Sequence, residues 1–327
     1  MKNLLNKIIH HQPLQTKEAY DLLHAIDLET VDDVFVAAIL TGIQMRGLHL
    51  NELVGFRKAL LELCVIPEID GSNAIDLCGT GGDGKNTFNI STTTAFVVSS
   101  MGYKVIKHGN YGVSSMCGSS NVLEELGYEF TNDSNELNEQ LANKNLCFLH
   151  APLFHPTMKK VAGVRRSLGI QTIFNCLGPL VNPVQPEFQM TGTYSLELNR
   201  IYSHILKGER SDFRVVYGLD GYDEITLTNE AKITGRRSES VLDAQNLGVD
   251  TIDPELIKGG SSISESADIV KNILSGNGTD AQNNVIATNT AVAIQTIEPQ
   301  HNIKDLFHAS LEHIRSCLLY TSDAADE

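Results

Sequence analysis

A glycine-rich segment between Asp76 and Thr92 is the strongest candidate for binding a phosphate group. Glycines stand at positions 79, 81, 82 and 84, after a short apolar run and before a predicted helix that begins at Ser91. Glycines let backbone amides approach phosphate oxygens, and the amino end of a helix adds unpaired N–H groups and a positive dipole end. The short polar side chains of Asn89, Ser91 and Thr92 can complete the coordination of a phosphate or a metal ion. The segment therefore predicts an anion-binding loop; the alternative is a tight turn with Ser91 as a plain helix cap.

A second polar cluster follows the next predicted strand. Lys107, His108 and Asn110 stand close together, and Ser119 follows in a glycine- and serine-rich stretch. In open α/β sheets ligands bind beyond the carboxyl ends of the strands, so the two loops can share one anionic ligand. Lys107 would neutralise phosphate, whereas His108 taken alone is more simply a structural histidine.

The elements that must position these residues change in type along the chain. Residues 14–67 carry helical patterning, and from Asn73 onward strands and helices alternate as in an α/β sheet. A polar loop is predicted at 259–266 and a hairpin around Asn229 and Glu230. Strands are predicted at 74–78, 104–106, 146–149 and 214–217, and helices at 91–101, 121–126, 156–168, 265–274, 285–297 and 303–319.

The composition excludes several classes of function. The 327 residues include 40 acidic and 25 basic ones, for a net charge of −15, without a basic run that would bind nucleic acid. No apolar run is long enough for a membrane helix, and the first residues do not have the pattern of a secretory signal. Six scattered cysteines predict reduced thiols rather than disulfides or a zinc site. We expect a cytoplasmic protein without membrane or nucleic-acid partners.

Four motifs resemble the anthranilate phosphoribosyltransferase family. They are Thr-Phe-Asn-Ile-Ser-Thr at 87–92, Lys-His-Gly-Asn at 107–110, the block at 163–183 that begins Gly-Val-Arg-Arg-Ser-Leu-Gly-Ile, and Gly-Tyr-Asp-Glu at 221–224. The resemblance implies an α/β fold with a small N-terminal helical domain and a larger α/β domain, whose central sheet is flanked by helices as in nucleoside phosphorylases and phosphoribosyltransferases. Its implied bounds are 1–70 for the helical domain, joined by middle helices at 155–180, and 71–154 with 181–318 for the α/β domain. It also implies a substrate cleft between the domains and a homodimer through the helical part.

The activity implied by the resemblance is transfer of the phosphoribosyl group of phosphoribosyl pyrophosphate (PRPP) to the amine of anthranilate, in tryptophan biosynthesis. The residues implied for PRPP are Gly79, Gly82, Asp83, Thr87, Asn89, Ser91, Thr92, Lys107 and Ser119. Those implied for anthranilate are Gly79, His108, Asn110 and Arg165. Ser91, Asp223 and Glu224 are implied as ligands of Mg²⁺, the expected cofactor, and no residue is assigned as a catalytic acid or base.

The chemistry of these residue types agrees with the implied roles. The planar fork of Arg165 matches a carboxylate, and anthranilate is an aromatic carboxylate. The adjacent Asp223 and Glu224 suit Mg²⁺, which binds through one or two carboxylates plus ligand phosphates. The aromatic amine is a neutral nucleophile near neutral pH, so the site needs to supply orientation and charge stabilisation rather than a strong base.

Two alternatives remain open from the sequence. A pyrimidine nucleoside phosphorylase has a similar two-domain plan, but the run 87–92 argues against it. A non-catalytic relative that binds nucleic acid is disfavoured by the net charge. An association with anthranilate synthase is left open.

The chain also departs from the family pattern. Tyr111, Met116 and Gln171 stand where the family has basic residues, which predicts weaker donor binding, a stronger dependence on Mg²⁺ or an altered activity. Residues 317–327 do not resemble the family's final helix. We interpret 319–327 as a foreign or disordered tail, with a docked amphipathic tail as the alternative.

Overall fold

The computed structural model describes residues 2–112 and 117–316. Met116 and the tail 317–327, about which the sequence made predictions, lie outside the described residues. The chain divides into two compact units, one formed by residues up to Pro67 with Ala151–Pro183, and the other by Glu68–His150 with the residues from Val184 onward.

The elements are numbered in chain order. The helices are α1 Lys2–Ile9, α2 Thr16–Asp27, α3 Asp33–Arg46, α4 Leu50–Leu63, α5 Ile90–Ser100, α6 Ser119–Glu125, α7 Ser134–Lys144, α8 Ala151–Phe154, α9 Pro156–Leu168, α10 Leu196–Lys207, α11 Ala244–Leu247, α12 Ile263–Leu274, α13 Asp280–Ile297 and α14 Ile303–Arg315. The strands are β1 Ala74–Leu77, β2 Lys104–Gly109, β3 Leu146–His150, β4 Phe188–Gly192, β5 Asp212–Gly218, β6 Ala231–Gly235 and β7 Glu239–Leu242.

The first unit is helical. It contains α1 to α4, α8 and α9, and two single 3₁₀ turns at Ile173–Cys176 and Gly178–Leu180. Pro156 begins α9 and Gly169, with a φ of 61°, ends it, so proline and glycine occupy the positions that favour them. This arrangement holds Arg165 in the last turn of α9.

The second unit is built on a seven-stranded sheet in the order β3-β2-β1-β4-β5-β6-β7. The first five strands are parallel, whereas β6 and β7 are antiparallel to their neighbours. Helices α5 and α13 pack against each other and against the central strands, and the buried core includes Ile75, Val97, Val105 and Ile286. These observations confirm the predicted fold class, a helical part with a larger α/β part.

Several predicted elements need correction. A hairpin was predicted around Asn229 and Glu230, and the position of its turn is wrong. These residues precede β6, and the tight turn between the antiparallel strands β6 and β7 lies at 236–238. The patterning missed the strands β4, β6 and β7 and the helices α1, α7, α8, α10 and α11. The predicted loop at 259–266 is shorter, because Ser262 caps α12 by accepting a hydrogen bond from the Glu265 amide at 3.1 Å.

Two negative findings concern the described residues alone. Within 2–112 and 117–316, no helix has both the length and the apolar character that crossing a membrane requires. The five cysteines in these ranges are free thiols.

Candidate active site

The candidate site lies where β1 and β4 end side by side. From β1 the sheet continues to β2 and β3 on one side, and from β4 to β5 on the other, so the loops that follow β1 and β4 diverge. The Thr80 amide donates to the Gly192 carbonyl oxygen at 3.0 Å, which joins the start of the glycine loop to the end of β4. Such a switch point leaves a crevice at the carboxyl ends of the strands, where ligands of open α/β sheets bind.

The conformation of the glycine loop depends on its glycines and on pairing with a segment later in the chain. Gly81, Gly82 and Gly84 have φ values of 62°, 79° and 71°, a region that other residues adopt only with strain. Farther along, the loop pairs with the segment Ile257–Gly260: the Phe88 amide donates to the Ile257 carbonyl at 3.2 Å, and Thr87 and Lys258 form an antiparallel bridge. The start of the predicted surface loop at 259–266 also supports the glycine loop, because the Gly259 amide donates to the Asn86 carbonyl at 2.9 Å.

Asp223 is packed into the glycine loop. Its Oδ2 accepts a hydrogen bond of 2.6 Å from the Gly81 amide. A Cβ at Gly79 would lie 2.5 Å from the same oxygen, and a Cβ at Gly192 would lie 1.4 Å from the Asp223 carbonyl oxygen. The absence of side chains at these two positions is what allows the acidic turn to approach both strand ends.

Three carboxyl groups meet at this point. The Asp83 carboxyl lies near enough to Asp223 to raise its pKa, and Glu224 follows next in the chain. Burial and then the neighbouring Asp83 raise the pKa of Asp223. Burial and then Asp223 raise the pKa of Glu224. A cation would relieve the repulsion between these groups, so the donor set fits a hard divalent ion such as Mg²⁺.

Lys107 and Ser91 complete the acidic end of the site. The Lys107 side chain is buried, and its Nζ donates to the Leu77 carbonyl and, at 3.3 Å, to the Ser91 hydroxyl. Lys107 and Ser91 partly offset the rise in the pKa of Glu224, and Ser91 and Glu224 line the same small cavity. Three residues predicted separately from the sequence thus lie at one place.

The local structure corrects two details of the prediction. Helix α5 begins at Ile90 with Asn89 at its N-cap, so Ser91 lies inside the helix and is not the cap. Strand β2 extends to Gly109, so Lys107 and His108 lie within the strand rather than after it. Successive side chains of a strand point to opposite faces, which separates His108 from the face that carries Lys107.

The remaining predicted residues of this unit lie around the same loops. Asn110 is exposed, and its carbonyl accepts from the Ser119 hydroxyl at 3.3 Å. The side-chain Nδ2 of Asn89 donates to the Cys117 carbonyl at 3.3 Å, which brings the start of α5 next to the segment before Ser119. Thr92 is buried in the first turn of α5, and Gly82 lies in the loop beside Asp83.

Arg165 belongs to the helical unit. Its Nη2 lies 3.5 Å from Oδ1 of Asn175, and its guanidinium carbon lies 5.7 Å from the centre of the Phe174 ring. Burial lowers the pKa of Arg165, although a guanidinium stays protonated. The contacts orient a partly buried cation whose remaining N–H groups can receive an acidic ligand.

Sequence comparison places these observations in a family. A family model described as the glycosyl transferase family a/b domain matches residues 71–317, and the helical bundle domain of that family matches residues 2–64. An anthranilate phosphoribosyltransferase of Christiangramia forsetii is 49% identical over 296 residues, 90% of this chain and 89% of that protein. One of Flavobacterium psychrophilum is 48% identical over 297 residues, 91% of this chain and 90% of that protein. The chain belongs to the anthranilate phosphoribosyltransferase family.

Solved anthranilate phosphoribosyltransferases have the same fold. The crystal structure of the Thermus thermophilus protein matches with a TM-score of 0.87 at 29% identity, over 97% of this chain and 96% of that one. The Saccharomyces cerevisiae enzyme, solved in complex with PRPP and Mg, matches with a TM-score of 0.88 at 27% identity, over 97% of this chain and 94% of that one. The family resemblance inferred from the motifs is thereby confirmed.

Tyr111, one of the residues by which the sequence departs from the expected family pattern, makes two specific contacts. Tyr111 donates from its hydroxyl to Oε1 of Glu124 at 2.6 Å, and its ring meets the edge of the His150 ring at a centroid distance of 4.7 Å. The aromatic side chain therefore anchors the chain just after Asn110. Gln171 lies before the 3₁₀ turn that carries Asn175.

Sequence reasoning missed residues that support the candidate site from outside its motifs. Gly192 ends a strand that was not predicted, and Asn289 lies between two buried threonines of α13. The sequence carries little signal for Asn289, because Thr288 and Thr290 beside it are also polar. No local pattern distinguishes Gly192 from other glycines.

Proposed function

We propose that this protein transfers the phosphoribosyl group of PRPP to the amine of anthranilate, giving N-(5-phosphoribosyl)anthranilate and pyrophosphate. The observation that carries the proposal is the convergence of the glycine loop, Lys107, Ser91, Glu224 and Asp223 at one edge of the sheet. This combination suits a ligand with several phosphates and a divalent cation. The named relatives favour this activity over nucleoside phosphorolysis and over nucleic-acid binding. A homodimer and a cytoplasmic location remain predictions.

The donor would be held mainly by backbone groups. Amides of the glycine loop, which includes Gly79, Gly82 and Asp83 and continues to Thr87, would receive the diphosphate. The first turn of α5 adds unpaired amides and the side chains of Asn89, Ser91 and Thr92. Lys107 and Ser119 would then contribute one charge and one hydroxyl from the β2 side.

Ser91, Asp223 and Glu224 are the residues that would hold Mg²⁺. Within the described residues no group of three or more His, Cys, Asp or Glu side chains has the arrangement of a metal site. Mg²⁺ commonly binds through one or two carboxylates and completes its shell with phosphates and water. When bound, the ion supplies positive charge that stabilises the leaving diphosphate.

In the reaction the bond between ribose C1 and the diphosphate oxygen breaks as the anthranilate nitrogen bonds to C1 from the opposite face. Arg165 would bind the anthranilate carboxylate through its planar fork. Asn110 and the Gly79 backbone would orient the ring and amine, which loses its proton after attack. His108 stays a prediction, since its side chain is buried and strand alternation directs it away from Lys107.

The test of this function is the loss of anthranilate fluorescence when the purified protein is mixed with anthranilate, PRPP and Mg²⁺. We expect a decrease that requires all three components. No decrease from folded protein would contradict the proposal, and thymidine phosphorolysis and binding of single-stranded DNA would then be measured.

The Arg165→Ala variant should raise KM for anthranilate by about 10- to 100-fold, because it removes a charged hydrogen-bond donor from a partly buried site. We expect little change in KM for PRPP. Steady-state kinetics with each substrate varied in turn would measure both values.

The matched control is Arg166→Ala, since Arg166 is the exposed next residue of the same helix. It removes the same charge and should leave both constants near those of the wild type. An equal rise of the two KM values in Arg165→Ala would contradict the assignment of Arg165 to anthranilate.

A further inference from the structure

Asn289 of α13 makes an unusual set of hydrogen bonds to the chain just after the acidic pair. Its side chain is 1% exposed. The Nδ2 group donates to the Ile225 carbonyl at 2.8 Å, and Oδ1 accepts from the Ile225 amide at 3.4 Å. A side-chain amide that pairs with both main-chain groups of one residue substitutes for a neighbouring strand.

The orientation of Asn289 is itself fixed by its helix. Nδ2 also donates to the Val285 carbonyl, four residues earlier in α13, at 2.8 Å. Helix α13 packs against α5 and against the strands β1 and β4, whose ends define the site. Asn289 therefore connects a buried, rigid helix to the turn that carries the carboxylates.

Ile225 directly follows Glu224, so the position of its backbone limits where the Glu224 carboxylate can lie. Asn289, Glu224 and Ser91 line the same small cavity behind the glycine loop. The carboxylates of Asp223 and Glu224 repel each other when ionised, and a loosely held turn would relieve this repulsion by moving them apart. Hydrogen bonds to Ile225 oppose that movement.

We propose that Asn289 is a positioning residue that holds Glu224 at the place where it shares a cation with Asp223 and Ser91. The inference rests on the proposed function, because the cation is the one that accompanies the donor diphosphate. Supporting residues behind metal ligands commonly determine affinity although they never touch the ion. Asn289 acts on this site through two hydrogen bonds to Ile225, and a third, to Val285, fixes its own side chain.

The test compares Asn289→Ala and Asn289→Ser with the wild type in the full chain. Binding of Mn²⁺, measured by electron paramagnetic resonance with and without PRPP, reports on the cation site without turnover. We expect both variants to weaken Mn²⁺ binding, and to raise the Mg²⁺ concentration for half-maximal activity, by roughly 10- to 100-fold. KM for anthranilate should change by less than about threefold, because the aromatic substrate is not held by this turn.

The matched control is Asn283→Ala. Asn283 is buried on the same helix and donates to the Gly278 carbonyl at 3.0 Å, away from the acidic turn. It should lower the melting temperature and leave cation binding unchanged.

Three outcomes would overturn the proposal. They are unchanged cation binding in the Asn289 variants, an equal loss in Asn283→Ala, and failure of both Asn289 variants to fold while Asn283→Ala folds. The last result would assign Asn289 to folding alone. If the wild type binds Mn²⁺ but transfers no phosphoribosyl group, the proposed function fails while the comparison of Mn²⁺ binding still decides the role of Asn289.

Discussion

Replacement of Gly192 with alanine is expected to lower kcat/KM for PRPP by about 100-fold or more, because a shift of about 1 Å in a site can have that effect. The added Cβ would lie 1.4 Å from the carbonyl oxygen of Asp223 and 2.5 Å from its carbonyl carbon. Both are main-chain atoms, so the clash cannot be relieved by rotation of a side chain. The acidic turn must therefore move away from the end of β4. The same movement strains the hydrogen bond from the Thr80 amide to the Gly192 carbonyl. Activity and melting temperature would be measured together.

The control for this variant is Gly208→Ala. Gly208 ends α10 in the same unit with a φ of −83°, and the nearest atom to its added Cβ would lie 3.7 Å away. We expect it to fold and to retain wild-type activity. Wild-type kinetics in Gly192→Ala would show that the acidic turn does not approach β4 as closely as described.

The Glu224→Gln variant should have opposite effects on activity and on the stability of the metal-free protein. At fixed Mg²⁺ we expect activity to fall on the order of 100-fold, because glutamine keeps the shape and loses the charge that attracts the cation. The pKa of Glu224 is raised in the folded state, first by burial and then by Asp223. A carboxyl of this kind contributes stability below its unfolded pKa and loses that contribution as the pH rises through its folded pKa.

It follows that the ionised Glu224 destabilises the metal-free protein at higher pH, and that glutamine removes this cost. Melting temperatures without Mg²⁺ should be higher for Glu224→Gln than for the wild type at about pH 8, and the difference should shrink toward about pH 4, where the carboxyl is protonated in both states. Added Mg²⁺ and PRPP should stabilise the wild type more than the variant.

Glu230→Gln supplies the control, since Glu230 is an exposed acid just before β6 and its replacement changes the net charge equally. It should alter neither activity nor the pH dependence of melting. The interpretation of Glu224 would be wrong if both variants behaved alike, or if Glu224→Gln kept the wild-type requirement for Mg²⁺.

The parts of the fold that could be predicted are those with strong local signals. Strand β1 is a short apolar run bounded by polar residues and glycine, and α9 is bounded by Pro156 and Gly169. Strand β4 was missed although it is central, because its sequence Phe-Gln-Met-Thr-Gly alternates apolar and polar residues over only four positions and lacks the continuous apolar run of a buried parallel strand. Its buried Gln189 is accommodated by Arg210, whose Nε donates to it at 3.3 Å, and a partner 21 positions away leaves no mark in the local sequence.

The same distinction applies to the candidate site. Its glycine loop and adjacent acids could be recognised from residue type and spacing, as could the lysine. The exact role of Ser91 could not, because a serine near a helix start is most simply a cap. It accepts a hydrogen bond from Lys107 of a neighbouring strand, and it lines a cavity with Glu224 from a turn far along the chain.

The sequence by itself determined the chemistry that the protein can offer: glycines at positions that require positive φ, a lysine, an adjacent acid pair and an arginine fork. The tertiary structure decided which of these groups meet. Gly81 and Asp223 are 142 positions apart, and they come within hydrogen-bonding distance because β1 and β4 are neighbours at the switch point of the sheet. Strand order depends on the free energy of burying all the apolar faces together, which no short segment encodes. Turn conformation and capping depend on a few neighbouring residues.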